Sequence, residues 1–503
     1  MEGTRQFLLN QVMAWVTDPQ EGNDTPRKST YWFYGLPGIG KTSLAHSICE
    51  SLHHRKHLGG AFFGRRDDPN LSELSNVIPT LINSLAGVFP PFRTIVADRL
   101  RNDRNLTSRS MKHSLFLDFI QGLPRHPDRP LVFVIDALDE CGNDQGRLVL
   151  LKSLTDTTAH APWLKIIITS RPEVDIQGFF KDLTRPLHLS YDLAADQEAK
   201  ADLRTFAQDQ FGLVARKWHL PAPWPEESLF DRVVYRADGL FIFIKTVVLA
   251  LEHCKDPTEF LKATLKHPDS IGMNSLYGLY SSILKARIAP GDAESQWILG
   301  VLIATASYRT LCEETIAELA GVRHNVVKKL VDDLGSLLYR DEGTHRGIHV
   351  RHLSISDFLI SNDCHCQVSL RHANVQLGIA CLKTMVDQLR FNICKLEDSR
   401  FANAGVHDLP LRIKQNISGA LQYSSLYWSN HLTFTPDTGD RHVWGSLKEF
   451  FEGSYPLFWI EVLSALGMVP IGAPTLRRTI SWAKVSASRT CRWFAFLAGS
   501  NLL

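Results

Sequence analysis

The chain has 503 residues, 44% hydrophobic and 21% charged, enough for about three or four domains with full cores, which excludes a disordered polymer. A formal net charge of +2 argues against binding nucleic acid or a membrane surface through bulk charge. The longest apolar stretch, residues 239–251, carries Lys245 and is too short to span a bilayer, and Met1-Glu2-Gly3-Thr4-Arg5 lacks the apolar core of a signal peptide.

Residues 4–16 bring Leu8, Leu9, Val12, Met13, Trp15 and Val16 near helical spacing and predict a short amphipathic helix, followed by a polar loop over 18–28. Tyr31-Trp32-Phe33-Tyr34 then reads as a buried strand that runs into Gly35-Leu36-Pro37-Gly38-Ile39-Gly40-Lys41-Thr42-Ser43. Gly35, Gly40, Lys41 and Thr42 stand at the G-x-x-x-x-G-K-[ST] spacing of a phosphate-binding loop. The glycines let the backbone turn successive N–H groups toward phosphate oxygens, and the helix that follows adds the positive end of its dipole. Lys41 is placed to reach the β- and γ-phosphates, and the Thr42 hydroxyl to ligate Mg²⁺. A chance match is the alternative, and the aromatic strand before the loop and the amphipathic run 43–52 after it weigh against chance.

A second strand is expected at Ala61-Phe62-Phe63, then the turn Arg65-Arg66-Asp67-Asp68-Pro69-Asn70 and helices over 71–88, 92–100 and 112–123. Leu131-Val132-Phe133-Val134-Ile135 has the unbroken apolar run of a central parallel strand. Asp136, at its carboxyl end, is placed to hold Mg²⁺, and Asp139 and Glu140 are close enough behind it to orient or deprotonate a water. A further strand, Trp163 to Ile168, ends in Thr169-Ser170-Arg171, where a hydroxyl could report a γ-phosphate and Arg171 balance its charge. A fifth strand is expected over 187–190. Strands alternating with helices imply an α/β doubly wound parallel sheet.

Beyond residue 192 the pattern is helical, with helices over 196–211, 226–236, 240–254, 275–288 and 294–306. Short helices over 315–320 and 324–334, then strands over 337–340 and 348–352 flanking Asp341-Glu342-Gly343, outline a winged-helix domain. Its second helix sets Arg323, Lys328 and Lys329 against Asp332 and Asp333, so no nucleic-acid partner is expected. The nine cysteines include no C-x-x-C pair, which points to a reducing, cytoplasmic compartment. Cys364-His365-Cys366 is their one cluster, and adjacent donors rarely chelate one metal without distant partners, so no metal site is expected there. Helices over 421–431, 444–451, 457–466 and a basic, apolar segment over 480–496 complete the chain.

The motifs Gly35 to Ser43, Asp136-Ala137-Leu138-Asp139-Glu140 and Thr169-Ser170-Arg171-Pro172 together resemble the NACHT family of signal-transducing (STAND) NTPases, in particular fungal NOD-like receptors whose core is similar to the nephrocystin-type N-terminal NTPase domain. Ala237-Asp238-Gly239-Leu240-Phe241-Ile242, His352-Leu353-Ser354-Ile355-Ser356-Asp357-Phe358-Leu359 and Ala420 to Leu432 also look like landmarks of that family. The resemblance implies a linker helix over 1–24, a P-loop NTPase domain over 25–191, a helical domain over 192–270, a winged-helix domain over 271–365 and a helical region over 366–503. It implies an innate-immunity switch that exchanges ADP for ATP with Mg²⁺, hydrolyses slowly and forms a homo-oligomer when active. On it, the loop from Gly35 to Ser43 binds phosphate, Thr42 and Asp136 hold Mg²⁺, Asp139 and Glu140 handle the hydrolytic water, and Arg171 senses the γ-phosphate. His352 matches the winged-helix histidine that contacts the ADP β-phosphate, with a packed junction histidine as the alternative. One departure is that Phe241-Ile242-Phe243 follow Gly239, where many relatives carry a proline that borders the adenine. A non-hydrolysing ADP-bound scaffold and a small-molecule phosphotransferase, at which Arg65-Arg66 alone hints, are the rival functions.

Overall fold

A computed structural model describes residues 5–18, 28–102, 114–121, 123, 127–182, 188–196, 198–265, 271–341, 346–397, 402–434 and 441–486. The chain divides into two units, Met1–Ser282 with His352–Ser354, and Ile283–Arg351 with Ile355–Leu503.

The first unit is built on five parallel strands, β1 (Thr30–Tyr34), β2 (Leu58–Phe63), β3 (Leu131–Asp136), β4 (Leu164–Ser170) and β5 (His188–Asp192), in the order β2-β3-β4-β1-β5. Every residue of β3 and β4 is buried, as their unbroken apolar runs require of strands covered on both faces. All strands run the same way, so the segments that leave β1, β3 and β4 emerge along one edge, where ligands bind in open α/β sheets. This is the expected P-loop NTPase architecture. Strand β2 begins three residues before the expected start, because Gly59 and Gly60 belong to it. The helix Val77–Val88 crosses so close that a Cβ on Gly60 would lie 2.8 Å from that of Ser84.

The helix expected over 71–88 is two. Asp68 caps a short turn, Pro69–Ser72, Glu73 is extended, and the Ser72 carbonyl is taken by the Gly142 N–H at 2.8 Å. The expected fifth strand starts inside the described region at His188 and runs two residues further than expected. Thr4 at the start of the opening helix, most of the 18–28 loop, Lys112, Leu187, the Glu342-Gly343 turn and the segment after 486 lie outside the described residues.

The sheet is followed by Glu198–Lys217, Glu227–Ala237 and Phe241–Glu252. The last two are joined through Asp238 (φ 43°) and Gly239 (φ 83°), the sharp junction expected there. The longest helices the periodicity does not single out are Asp144–His160 and Leu370–Gln388.

The second unit carries the helix, helix, hairpin outline of a winged helix: Glu313–Ala320, His324–Asp333, then antiparallel β6 (Leu338–Arg340) and β7 (Ile348–Val350). Arg340 clamps it, reaching Glu313 and Asp332, each at 2.6 Å. Helices Leu370–Gln388, Gly419–Leu432, Arg441–Glu452 and Tyr455–Ala465 pack beyond it around the buried rings of Trp428, Phe450 and Trp459. No helix among the described residues is long and apolar enough to cross a membrane.

Candidate functional site

The loop after β1 turns through Gly38 (φ 80°) and Gly40 (φ 94°), left-handed conformations that an L side chain rarely adopts. Gly40 starts the helix Lys41–His54, and no side chain caps the first turn, so its N–H groups face the loop. The Lys41 ammonium folds back over the loop and donates to the Gly35 and Leu36 carbonyls at 2.8 and 2.9 Å. Burial lowers its pKa to about 8 against the upward pull of Asp139, with Arg171 lowering it further. Thr42 and Ser43 stand exposed at the start of the helix.

Asp136 is 1% exposed at the end of β3. Burial raises its pKa, and hydrogen bonds from the Thr169 and Thr42 hydroxyls oppose the shift. Thr169 donates to Asp136 and accepts from the Ala137 N–H at 3.1 Å. Ala137 is left-handed (φ 56°), which turns the chain sharply into the short helical turn Leu138–Glu140. Alanine carries a Cβ, so this left-handed conformation costs about 1–2 kcal/mol that the surrounding packing must offset.

That turn delivers Asp139 to Arg171. The Asp139 carboxylate accepts from the Arg171 N–H at 2.9 Å, and the guanidinium lies 3.4 Å away. Glu140 accepts from the Arg66 N–H at 3.3 Å. Burial and the neighbouring Asp139 push its pKa up to about 7. One carboxyl is thus pinned beside a cation and the other is poised to exchange a proton near neutral pH, the pairing that acid–base chemistry uses.

His352 joins this site, and its Cε1 is 3.7 Å from the point a Cβ on Gly38 would occupy. Its Nδ1 accepts from the Ser354 N–H at 3.2 Å, which leaves the ring proton on Nε2. The Ser354 hydroxyl is 2.7 Å from Nδ1 and 2.8 Å from the Tyr280 hydroxyl, so the ring is held from behind. Burial, then Arg171, Lys41 and Lys245, lowers its pKa to about 4, and the imidazole is neutral at physiological pH.

The site thus gathers Gly35 to Ser43, Asp136, Asp139, Glu140, Arg171 and His352. The two hydroxyls expected to report a γ-phosphate are buried and engaged elsewhere: Thr169 holds Asp136, and Ser170 accepts from the Trp32 indole at 2.9 Å. Arg65 pairs with Asp67 at 2.8 Å, and the Arg66 backbone N–H donates to Glu140 at 3.3 Å. The Ile242 N–H donates to the Gly38 carbonyl at 3.2 Å, a bond that a proline at that position could not make.

Residues 3–171 match the family model described as "Nephrocystin 3, N-terminal". That interval holds every sequence-predicted site residue except His352. No curated protein matches the chain. Three solved archaeal structures overlay on it in part. A Walker-type ATPase of Pyrococcus abyssi is 14% identical, with 70% of this chain and 95% of the other covered at a TM-score of 0.33. Cdc6p from Pyrobaculum aerophilum is 14% identical, with 71% and 94% covered at a TM-score of 0.32. The Aeropyrum pernix ORC1 protein, solved in complex with DNA, is 13% identical, with 71% and 92% covered at a TM-score of 0.33. The P-loop NTPase fold of the first unit follows from its own strand order and loop.

The opening Gly3-Thr4-Arg5 helix looks like a landmark of the resembled family, but the sequence assigns Arg5 no role at the phosphate loop. Its guanidinium is buried, donating to the Ile39 carbonyl of the phosphate loop at 2.9 Å and to Asp196 at 3.3 Å. Burial lowers its pKa against Asp196 and Asp202. A single arginine in a helical pattern carries no signal for such a role.

Proposed function

We propose that the chain is a nucleotide-dependent switch of the NACHT/STAND type, which binds ADP and ATP with Mg²⁺, hydrolyses ATP slowly and assembles with copies of itself in the ATP state. The observation that carries this reading is His352, distant in sequence yet set against Gly38 with Nε2 as its donating nitrogen. A histidine that touches the phosphate loop in only one arrangement of the chain gives that arrangement its own nucleotide affinity, which is what a switch requires.

The residues fit the ligands. The turns at Gly38 and Gly40, the uncapped helix and Lys41 suit a polyphosphate, and Thr42 with Asp136 offers oxygen donors for Mg²⁺. Bound Mg²⁺ would neutralise phosphate charge. Asp139 holds Arg171 in place, and Glu140 is the base that takes the proton of the attacking water. The cytoplasm supplies the nucleotide.

The test is to denature the purified protein and identify the nucleotide released, with Lys41→Ala alongside. Stoichiometric ADP from the parent and none from the variant is the expected result. A parent that carries no nucleotide and fails to bind added ATP would overturn the reading in favour of a packing scaffold.

A further inference from the structure

Outside the nucleotide site, one group of side chains has chemistry that packing does not use. Cys364, His365 and Cys366 lie in the turn between the helices Leu353–Ile360 and Leu370–Gln388. The ligand atoms of all three fall within 4.8 Å of one another, and the two sulfurs are 3.5 Å apart. Both cysteines are 5% exposed. Among the described residues, both ring nitrogens of His365 are buried without a hydrogen-bond partner.

That last fact is the unusual one. A neutral imidazole has one N–H donor and one acceptor nitrogen, and burying both unpaired costs roughly 1–3 kcal/mol for each group. By contrast, the buried His431 of the same unit is bonded at both nitrogens, to Tyr423 and to Asn374, each at 2.8 Å. An unpaired buried donor set beside two thiols is what a ligand cluster looks like.

The turn is also held in shape. The Val368 N–H donates to the Leu359 carbonyl at 2.7 Å, closing the turn across its base. The Gln367 amide donates to the Ile360 carbonyl at 3.0 Å and to Asn362 at 2.8 Å. The Cys364 N–H reaches the Ser361 carbonyl at 3.3 Å. Adjacent residues therefore converge without distant partners, because the chain curls back on itself, which the sequence alone argued against.

We propose that Cys364, His365 and Cys366 bind one thiophilic d¹⁰ cation, Zn²⁺ or Cu⁺, through two thiolates and one imidazole nitrogen. Soft sulfur donors select these ions over Mg²⁺ or Ca²⁺, and neither ion demands a particular geometry from d electrons. The position, directly after the His352 segment, makes the ion a clamp on the turn between two helices. On binding, two thiol protons are released to solvent and two metal–sulfur bonds form, with no change of oxidation state.

The test uses the full chain, reduced and freed of metal by chelation. Zn²⁺ is titrated in competition with a chromophoric chelator, Cu⁺ against a Cu⁺-specific chelator under anaerobic conditions, and Co²⁺ is added as a spectroscopic probe. One equivalent per chain is expected, with sulfur-to-metal charge transfer in the Co²⁺ spectrum. Cys366→Ser and His365→Gln should each weaken binding by roughly two orders of magnitude or more, since even second-shell changes cost about tenfold or more. Whichever of Zn²⁺ and Cu⁺ binds more tightly identifies the ion. His365→Gln is the fold-preserving variant, and its far-ultraviolet circular dichroism without metal should match the parent's. Unchanged uptake in both variants would place the metal on the other cysteines and overturn the assignment. So would a reduced parent that takes up no ion, or one in which Cys364 and Cys366 prove to be bridged as a disulfide.

Discussion

Two histidines, one in each unit, His352 partly buried and His431 fully so, have pKa values lowered far below the usual range, to about 4 and about 3. Their surroundings differ. His431 is lowered by burial alone, and both its nitrogens are paired within a closed network of Tyr423 and Asn374. His352 is lowered by burial and by three cations, Arg171, Lys41 and Lys245, two of them in the phosphate site. It keeps one nitrogen committed to Ser354 and the other as a donor. A shifted pKa therefore marks burial in both places, and only the charges that share in the shift separate a site from a core.

The largest effect that tests this contrast is at His431. Replacing it by Leu leaves the Tyr423 hydroxyl and the Asn374 amide buried without their partner, and a stability loss of about 2–5 kcal/mol is expected. A thermal or denaturant melt measures it, and nucleotide retention in the folded fraction should not change. His352→Leu should act chiefly on the ligand: ADP release faster by about tenfold, read from the exchange of a fluorescent ADP, with a smaller stability loss of about 1–3 kcal/mol from the Ser354 N–H left without its partner. If His431→Leu speeds release and His352→Leu does not, the comparison fails.

Next comes hydrolysis. Glu140→Gln keeps size and hydrogen bonding but removes the base, and single-turnover ATP hydrolysis should fall by about 10²–10⁴-fold while ATP is retained. Because the Glu140 pKa is raised to about 7, the parent's rate should climb with pH through that value and level off above it. A rate flat between pH 5.5 and 8.5 would remove Glu140 from the base role.

The sequence disclosed the parts of the site that depend on local chain geometry. A phosphate loop is a run of adjacent backbone groups, so Gly35, Gly40, Lys41 and Thr42 reveal it by spacing, and Asp136 follows from the end of an apolar strand. What stayed hidden was tertiary. Arg5 reaches the Ile39 carbonyl from a helix outside the sheet, and Ile242 bonds Gly38 from a helix 200 residues away. Neither leaves a periodic or compositional trace. The partners of the Thr169 and Ser170 hydroxyls, Asp136 and Trp32, are hidden for the same reason, because they cannot be seen in a strand's ending. Gly59 and Gly60 masked the start of β2, since strand propensity counts against glycine, which the neighbouring β3 crowds at Gly59 and the crossing helix at Gly60.

The last effect concerns acid stability, where the two histidines share a sign and Glu140, in the first unit, opposes it. A histidine lowered from 6.5 binds its proton in the unfolded chain first, so stability is full above pH 6.5 and falls as pH drops toward 4 for His352 and toward 3 for His431. At pH 5 each costs about 2 kcal/mol relative to pH 8. Glu140 works the other way. Raised from 4.5 to about 7, it holds a proton that the unfolded chain gives up, so its contribution to stability falls as pH rises through that window. In the first unit the two slopes oppose each other, whereas His431 in the second has no such counterweight among its contacts. Removing the opposing carboxyl with Glu140→Gln should therefore raise stability near pH 8 and leave it nearly unchanged at pH 4.5, steepening the loss on acidification. Denaturant melts at pH 8, 6.5 and 5 measure this, and a variant whose stability runs parallel to the parent's would show that Glu140 titrates in the ordinary carboxylate range.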